Sequence, residues 1–126
     1  MNYTYYELYQ VDTDKKNACK IAFRGTDMMH PVDNMEKLIH ISNYKKVISG
    51  GLPSGNSVEA NLEGLFSRFN ADEPRDFRSM SVSDVVVLYE EQNPYKRSMQ
   101  AYYCDSIGFT AIDTIKFFEE RLITRD

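Results

Sequence analysis

The sequence predicts an α+β fold, a mostly antiparallel β-sheet of about four to five strands packed with about three helices, in a single domain of residues 1–126. Short runs rich in β-branched and aromatic residues recur along the chain, and turn-forming residues separate them. One segment repeats apolar residues at the spacing of a helix. A length of 126 residues, with 42% hydrophobic and 27% charged residues, is typical of one globular domain.

The first half of the chain predicts two or three strands and one helix. The opening NYTYYELYQV is dense in strand formers, with Tyr6 and Leu8 alternating against their neighbours. After the polar turn DTDKKN, the run ACKIAF fits a strand or a short helical turn, and we expect a strand. Pro31 suits the first turn of a helix over residues 31–41. A short strand, Tyr44 to Ile48, then leads into a Gly/Pro/Ser-rich loop.

The clearest helix is predicted in SVEANLEGLFSRFN. Ser57, or Asn56 with Glu59, can satisfy the free amides at its start, and Asn70 is a reasonable end. The apolar residues that share one face of this helix are Val58, Leu62, Leu65, Phe66 and Phe69.

The second half of the chain predicts the centre of the sheet. VVVLY, residues 85–89, is apolar on both faces and therefore predicts a central strand. EEQNPYKRS is a turn region, and MQAYYCDSIGFTAI predicts two short strands with a bend at Gly108, joined as hairpins. Asp113 can cap a final helix. The residues of this helix expected to face inward are Ile115, Phe118, Leu122 and Ile123.

Several classes of site are not expected. Cys19 and Cys104 lie far apart, no apolar segment near the start reads as a secretion signal, and no stretch approaches the roughly 20 apolar residues of a membrane helix. His30 and His40 lack the short ligand spacings of a zinc site, and SGGLPSGNS lacks the lysine of a P-loop. We therefore expect a reduced cytoplasmic protein without metal, cofactor or membrane contact.

The net charge of -4 is spread unevenly along the chain. Residues 59–91 carry eight Asp/Glu against three Lys/Arg, a net of -5. Such a region repels nucleic acid directly and could steer a basic protein surface towards it. The alternative is a solvated face that keeps the protein in solution.

The stretch SVSD places short polar side chains at the start of the predicted central strand. Ser81, Ser83 and Asp84 are expected to fix a tight turn by bonding to nearby amides. Two functional alternatives stay open: Asp84 with Asp105 as a carboxylate pair for acid–base chemistry, or an arginine-binding spot with Arg78 nearby.

Nine tyrosines and no tryptophan suggest that some tyrosines lie on the surface, where they recur in protein-binding patches. The alternative is cross-strand packing on a sheet face. The tyrosines expected to be exposed are Tyr3, Tyr5, Tyr9, Tyr95 and Tyr102.

Four stretches of the chain are distinctive in combination: YYELYQV, LEGLFSRFN, PRDFRSMSVSDVVVL and YYCDSIGF. Together they resemble the YodL-like domain, a small family of Gram-positive bacteria and of their conjugative and phage-like elements, and the likeness is strongest from Leu62 to Phe109. The segment from Met28 to Ile48 departs most from the family. The acidic and serine positions shared with the family are Asp76, Ser79, Ser81, Ser83, Asp84, Asp105 and Ser106.

The resemblance implies a non-catalytic protein that acts by binding other proteins. One family member is associated with interference with the actin-like cell-shape machinery, and members on mobile elements sit among genes for plasmid maintenance and evasion of host defence. The leading hypothesis is therefore a binding module that inhibits or modulates a host bacterial protein, with a defence nuclease as the first candidate, in the manner of an anti-CRISPR inhibitor. The alternatives are a modulator of the cell-shape cytoskeleton and a small enzyme that uses Asp84 and Asp105.

The hypothesis assigns partner contacts to the charged loop after the clearest helix and to two tyrosines. The partner is expected to be a host nuclease or a cytoskeletal protein, and the oligomeric state is left open. The predicted partner-binding residues are Asp72, Glu73, Arg75, Asp76, Arg78, Tyr95 and Tyr102.

Overall fold

The computed structural model of the protein describes residues 3–15, 18–26, 38–93 and 96–118. Five strands account for most of its regular structure. They are β1 (Tyr5–Val11), β2 (Tyr44–Gly51), β3 (Val85–Asn93), β4 (Lys96–Cys104) and β5 (Phe109–Ile112). The helical segments are α1 (Ala18–Ile21), a 3₁₀ turn (Ile41–Asn43), α2 (Val58–Arg68) and α3 (Thr114–Phe118).

The strands form one antiparallel sheet in the order β2-β1-β3-β4-β5. β3 is the middle strand, and the side chains of residues 85–88 have no exposed surface. The continuous apolar run predicted a central strand because both of its faces must be covered, and this prediction is confirmed. The prediction of an antiparallel sheet is also confirmed.

Two hairpins build the far half of the sheet. β3 and β4 remain paired as far as Asn93 and Lys96, so the strands extend into the predicted turn region EEQNPYKRS. Gly108 stands between β4 and β5 with a φ of 67°, a left-handed conformation that glycine adopts without a steric penalty. The predicted bend at Gly108 is therefore confirmed.

Each face of the sheet packs against a separate apolar cluster. On one face, Tyr9, Val85 and Tyr103 pack with Ile21 of α1 and Phe117 of α3. On the other face, the buried strand residues Tyr6, Leu8, Val86 and Leu88 pack with Leu62, Leu65 and Phe69 at α2 and with Met80. The sheet is thus buried on both sides.

Helix α2 begins and ends close to the predicted positions. Ser57 is its N-cap, and the Ser57 Oγ accepts a hydrogen bond from the Ala60 amide at 3.1 Å. At the other end, the Asn70 side chain donates to the Phe66 carbonyl at 2.8 Å and to the Met80 carbonyl at 3.0 Å. Asn70 therefore joins the end of α2 to the segment that enters β3.

The helical part of the fold matches the prediction only loosely. Among the described residues, α2 alone runs for more than five residues, so the protein is mostly β. Most of the helix predicted over residues 31–41, together with His30, Leu122 and Ile123, lies outside the described residues. No helix among residues 3–15, 18–26, 38–93 and 96–118 has the length and apolar character needed to cross a bilayer.

Two local predictions are wrong. The run ACKIAF begins with helix α1 and contains no strand; Ile21 at the end of α1 packs in the apolar cluster on one face of the sheet, and the chain turns sharply at Phe23. Asp113 does accept a hydrogen bond at the start of α3, from the Lys116 amide at 3.1 Å. The prediction that Ile115 faces inward is wrong, because Ile115 is 80% exposed and the most buried residue of α3 is Phe117 at 1% exposure. Phe118 is half-buried and packs against the same apolar cluster, as predicted.

Candidate functional site

The segment of residues 70–79, which we call the acidic loop, joins α2 to the approach of β3. The Arg75 guanidinium lies inside this loop. Its Nη2 donates to the Phe69 carbonyl at 2.7 Å and to the Ser79 Oγ at 3.0 Å, and its Nη1 donates to the carbonyls of Ala71 and Glu73 at 3.3 Å. One side chain thus ties together both ends of the loop, because the planar fork of arginine can reach several acceptors at once.

The carboxylates of the acidic loop point to solvent. Asp72, Glu73 and Asp76 are all exposed. The loop also surrounds a shallow open depression of about 490 Å³ with a largely polar lining. The loop therefore displays three negative charges around the Arg75 side chain, whose hydrogen bonds connect its two ends.

Asp84 lies beneath the acidic loop with no exposed surface. Its Oδ2 accepts hydrogen bonds from the Ser81 amide at 2.9 Å and from the Gln10 Nε2 at 3.1 Å. Its Oδ1 accepts from the Arg78 Nη2 at 3.2 Å. Gln10, which is buried in β1, also donates to the Arg78 carbonyl at 3.0 Å. Asp84 and Gln10 together fasten the end of the loop to the sheet.

Burial raises the pKa of Asp84 from 3.8 to about 6. The hydrogen bonds from Ser81 and Gln10 and the charge of Arg78 act in the opposite direction but do not outweigh the loss of water around the carboxylate. Asp84 is therefore a carboxyl group whose ionised form is costly in the folded protein.

Two residues beside Asp84 have strained backbones. Phe23 has a φ of 62° and Ser83 a φ of 90°, and they are the non-glycine residues with positive φ in the described part of the chain. The two residues contact each other, because the Phe23 amide donates to the Ser83 Oγ at 3.0 Å. Such conformations cost on the order of 1–3 kcal/mol each and concentrate at functional sites.

The Phe23 ring lies on the surface next to the acidic loop. It is 58% exposed, and the Cζ of Arg78 stands 5.3 Å from its centroid, within the range of a cation–π contact. Arg78 therefore connects an exposed aromatic ring to the buried carboxylate of Asp84.

Comparison with known proteins identifies the family to which the chain belongs. The model of the YodL-like domain matches residues 5–115, from the start of β1 into α3. The chain belongs to the YodL-like domain family. The site described above lies within the matched region. No curated protein and no solved structure matches the chain.

In this YodL-like domain, Asp105 has its own set of partners, distinct from those of Asp84. Its carboxylate accepts from the Thr26 amide at 2.9 Å, the Thr26 Oγ1 at 2.7 Å, the Thr110 Oγ1 at 2.6 Å and the Ser106 amide at 2.8 Å. Burial alone would raise the pKa of Asp105, but the hydrogen bonds from Thr110, Thr26 and Ser106 outweigh it, and the net pKa is lowered. Among the described residues, the hydrogen-bond partners of Asp105 differ from those of Asp84, which are Gln10, Arg78 and Ser81.

The tyrosines of the YodL-like domain divide between core and surface. Tyr3 and Tyr9 are 7% and 6% exposed, so the prediction that both lie on the surface is wrong. Tyr9 packs edge-on against Phe117 of helix α3 inside the apolar cluster on one face of the sheet, so this contact is sheet-on-helix packing and not the cross-strand packing of the alternative. Tyr5 is 50% exposed, Tyr102 is half-buried, and Tyr95 lies outside the described residues.

The hydroxyls of Tyr9 and Tyr89 both donate to Glu7 Oε1, and Lys46 lies 3.5 Å from Glu7 Oε2. Sequence reasoning did not anticipate this polar cluster on the sheet, although the alternation of tyrosine with Glu7 in β1 was a signal for it.

Two further chemical features can be assessed in the described part of the YodL-like domain, the thiol of Cys104 and possible metal ligands. Cys104 is buried, and burial raises the pKa of its thiol to about 12, which disfavours the nucleophilic thiolate. Within the part of the chain that the structure describes, no three His, Cys, Asp or Glu side chains are grouped so that they could hold a metal ion.

Proposed function

We propose that this YodL-like domain is a non-catalytic protein-binding module that inhibits or modulates a host bacterial protein. The first candidate partner is a defence nuclease in the cytoplasm, which the domain would inhibit in the manner of an anti-CRISPR protein encoded on a mobile genetic element. The observation that carries the proposal is the acidic loop, in which three exposed carboxylates stand on a backbone held by Arg75.

A rigid loop is a better binding surface than a mobile one, because less conformational freedom is lost when the complex forms. The four oxygens bonded by the Arg75 guanidinium reach from Phe69 to Ser79 and therefore cover the whole loop. We assign Arg75 the role of holding the loop, and we assign the direct partner contacts to Asp72, Glu73 and Asp76.

A nuclease is the favoured partner because of charge. An enzyme that binds nucleic acid carries a basic channel, and a fixed group of carboxylates can occupy it while repelling the nucleic acid itself. The stretch of residues 59–91 holds eight acidic against three basic residues, which supplies a field of the required sign.

The alternative of a small enzyme receives less support from the geometry. Catalysis by a carboxylate pair requires both groups to reach one reacting atom. Asp84 has no exposed surface, and its oxygens are engaged by Gln10, Arg78 and Ser81. The Asp105 carboxylate is engaged by Thr26, Thr110 and Ser106 instead.

The test is binding of the purified domain to a panel of RNA-guided and restriction nucleases at low and moderate salt. Wild type should bind at least one nuclease in a salt-sensitive manner and reduce its cleavage of DNA. The triple variant Asp72→Lys, Glu73→Lys, Asp76→Lys should lose at least about tenfold in affinity, because mutations of interface charges act on both association and dissociation.

A matched control carries the same change in net charge elsewhere, at the exposed residues Asp14, Glu59 and Glu63. Equal losses in both triple variants would show a general charge effect and would contradict the assignment to the acidic loop. Absence of nuclease binding, together with rounding of Gram-positive cells that lack CRISPR systems on overexpression, would shift the proposal to the cell-shape cytoskeleton.

A further inference from the structure

Strand β5 is an outer strand of the sheet, and part of its backbone faces away from β4. The Cys104 amide donates to the Asp84 carbonyl, and the Cys104 carbonyl accepts from the Ser83 amide, so both backbone groups of Cys104 point away from β5. Because Cys104 pairs with Phe109, the backbone groups of Phe109 in turn point away from β4. The direction alternates along an antiparallel strand, so Ala111 has the same orientation as Phe109.

The hydrogen bonds of Ile112 agree with this alternation. The Ile112 carbonyl faces β4, where it accepts from the Gln100 side chain at 2.8 Å. Within the part of the chain that the structure describes, no strand lies on the outer side of β5. Phe109 and Ala111 therefore each present one backbone donor and one backbone acceptor at an open edge.

The other outer strand, β2, is built differently. It carries Lys45 and Lys46, and its register shifts opposite the step from Leu8 to Tyr9. Lysines and bulges are devices by which proteins prevent further strands from pairing with a free edge. The β5 sequence FTAI contains no charge and no proline, and its register with β4 is regular. β5 is therefore the outer strand that is better suited to accept another strand.

An apolar cavity of about 180 Å³ lies beside β5. Its apolar lining comes mainly from Ile39, Ile112 and Phe117. Asp113 and Lys116 also line it, and because their charges are opposite the cavity favours no ion. An apolar cavity of about 150 Å³ can hold a benzene-sized group, so this cavity has room for one branched aliphatic side chain.

A second apolar surface borders β5 on the opposite face of the sheet. Phe109 packs edge-on against Phe66 of α2, with ring centroids 6.4 Å apart, and the Phe66 ring is 39% exposed. Phe109 packs with one apolar cluster, whereas Ile112 and Phe117 belong to the other, so the two surfaces lie on different faces. Side chains of a strand alternate between the faces of a sheet, so a strand added to β5 would meet apolar surface on both sides.

We propose that the edge of β5 and the cavity beside it form a docking site for an extended segment of a partner protein. The segment adds one more strand to the sheet and places an uncharged, branched aliphatic side chain in the cavity. In such complexes backbone hydrogen bonds give affinity, and pockets for alternate side chains give specificity.

A partner segment fits this site better than a second copy of the chain paired through β5. The exposed residues of β5 are Thr110 and Ala111, and both are too small to fill the cavity of a neighbouring copy. The inference goes beyond the proposed function, because no residue of the acidic loop takes part in the site.

The test uses a defined probe, a peptide of roughly eight residues with blocked ends, long enough to span the edge of β5. Isoleucine and threonine alternate along the peptide, and one lysine and one glutamate keep it in solution at zero net charge. Calorimetry measures binding to the full chain, and amide hydrogen exchange locates the contact. The amides of Phe109 and Ala111 should exchange rapidly in the free chain and at least about tenfold more slowly with saturating peptide.

Two matched controls separate strand pairing from nonspecific binding. The same peptide with N-methyl groups on its central amides keeps its side chains but cannot donate hydrogen bonds, and it should bind at least about tenfold more weakly. Ala111→Pro removes an outward donor and leaves the pairing with β4 intact, since proline is tolerated where the N–H of an edge strand faces solvent. This variant should lose at least about tenfold in affinity, whereas Ala111→Val, which keeps the amide, should stay within about threefold of wild type.

The inference is overturned if wild type does not bind the peptide or binds the N-methylated peptide equally well. The second comparison uses the unchanged protein, so it decides the question even if Ala111→Pro fails to fold. Slow exchange of the Phe109 and Ala111 amides without peptide would show that the edge is already covered, by a second copy if the rate depends on protein concentration. Protection of β2 in place of β5 would also contradict the assignment.

Discussion

Replacing Asp84 by asparagine should change how the stability of the protein depends on pH. Asp84 has no exposed surface and lies against Gln10, Ser81 and Arg78. Asparagine keeps a side-chain carbonyl that can accept from the Ser81 amide, and it has no proton to lose. The substitution therefore removes the titration while preserving much of the turn.

The direction in which stability changes with pH follows from the raised pKa of Asp84. Burial moves the pKa of Asp84 from 3.8 in the unfolded chain to about 6 in the folded protein, against the lowering effects of Ser81, Gln10 and Arg78. The neutral carboxyl therefore contributes to the free energy of unfolding. This contribution is fully present below pH 3.8 and is lost as the pH rises through about 6. The difference between the two pKa values corresponds to about 3 kcal/mol in the free energy of unfolding. Most of this, about 2 kcal/mol, falls between about pH 4 and about pH 7.5.

Urea unfolding of wild type and Asp84→Asn at both pH values measures the effect. The difference between the two proteins cancels the contributions of groups that they share, including Asp105, whose lowered pKa acts in the opposite direction. The stability of Asp84→Asn relative to wild type should increase by about 2 kcal/mol from about pH 4 to about pH 7.5. A relative stability that is constant within about 0.5 kcal/mol would refute the reasoning and would mean that the ion pair with Arg78 compensates for burial.

Two further predictions concern the loop and the core. Arg75→Ala should lower the free energy of unfolding by about 2 kcal/mol, because the carbonyl of Phe69 and three other oxygens lose a charged donor. Arg75→Lys should recover less than half of this loss, since a lysine lacks the planar fork, and full recovery in urea unfolding would contradict the assigned geometry. Leu88→Ala should cost about 3 kcal/mol because Leu88 has no exposed surface in the central strand. The control Met99→Ala, at a position 37% exposed on β4, should cost less than about 1 kcal/mol, and similar losses at both positions would argue against the burial of β3.

The parts of the fold that could be predicted from the sequence are those with a strong local signal. The run of residues 85–89 has apolar side chains on both faces, and helix α2 has both a capping Ser57 and a long apolar repeat. The run ACKIAF carries no comparable signal, because four helical residues are too few to show a period. The conformation there depends on tertiary packing, in which Ile21 enters the apolar cluster on one face of the sheet.

The candidate site was predictable only in part, because some of its contacts join residues that are close in sequence and others join residues that are far apart. The SVSD stretch pointed to a turn at Asp84, and the Ser81 amide indeed bonds to the Asp84 side chain three residues away. Gln10 and Phe23 gave no such signal, because their partners lie far along the chain. Gln10 meets Asp84 across 74 residues, and Phe23 meets Ser83 across 60 residues. Contacts of this kind follow from the tertiary packing of distant segments and cannot be derived from local spacing.

The buried polar groups at this end of the sheet both satisfy neighbouring backbone groups and position the acidic loop. Gln10, Ser83 and Asp84 are all buried, and burial of polar groups is costly unless hydrogen bonds compensate. Gln10 donates to the Arg78 carbonyl, and the side chains of Asp84 and Ser83 accept from the amides of Ser81 and Phe23. Apolar replacements would leave these backbone groups without their partners. The polar network therefore joins the acidic loop and the Phe23 segment to the end of the sheet, as the positioning of a binding surface requires.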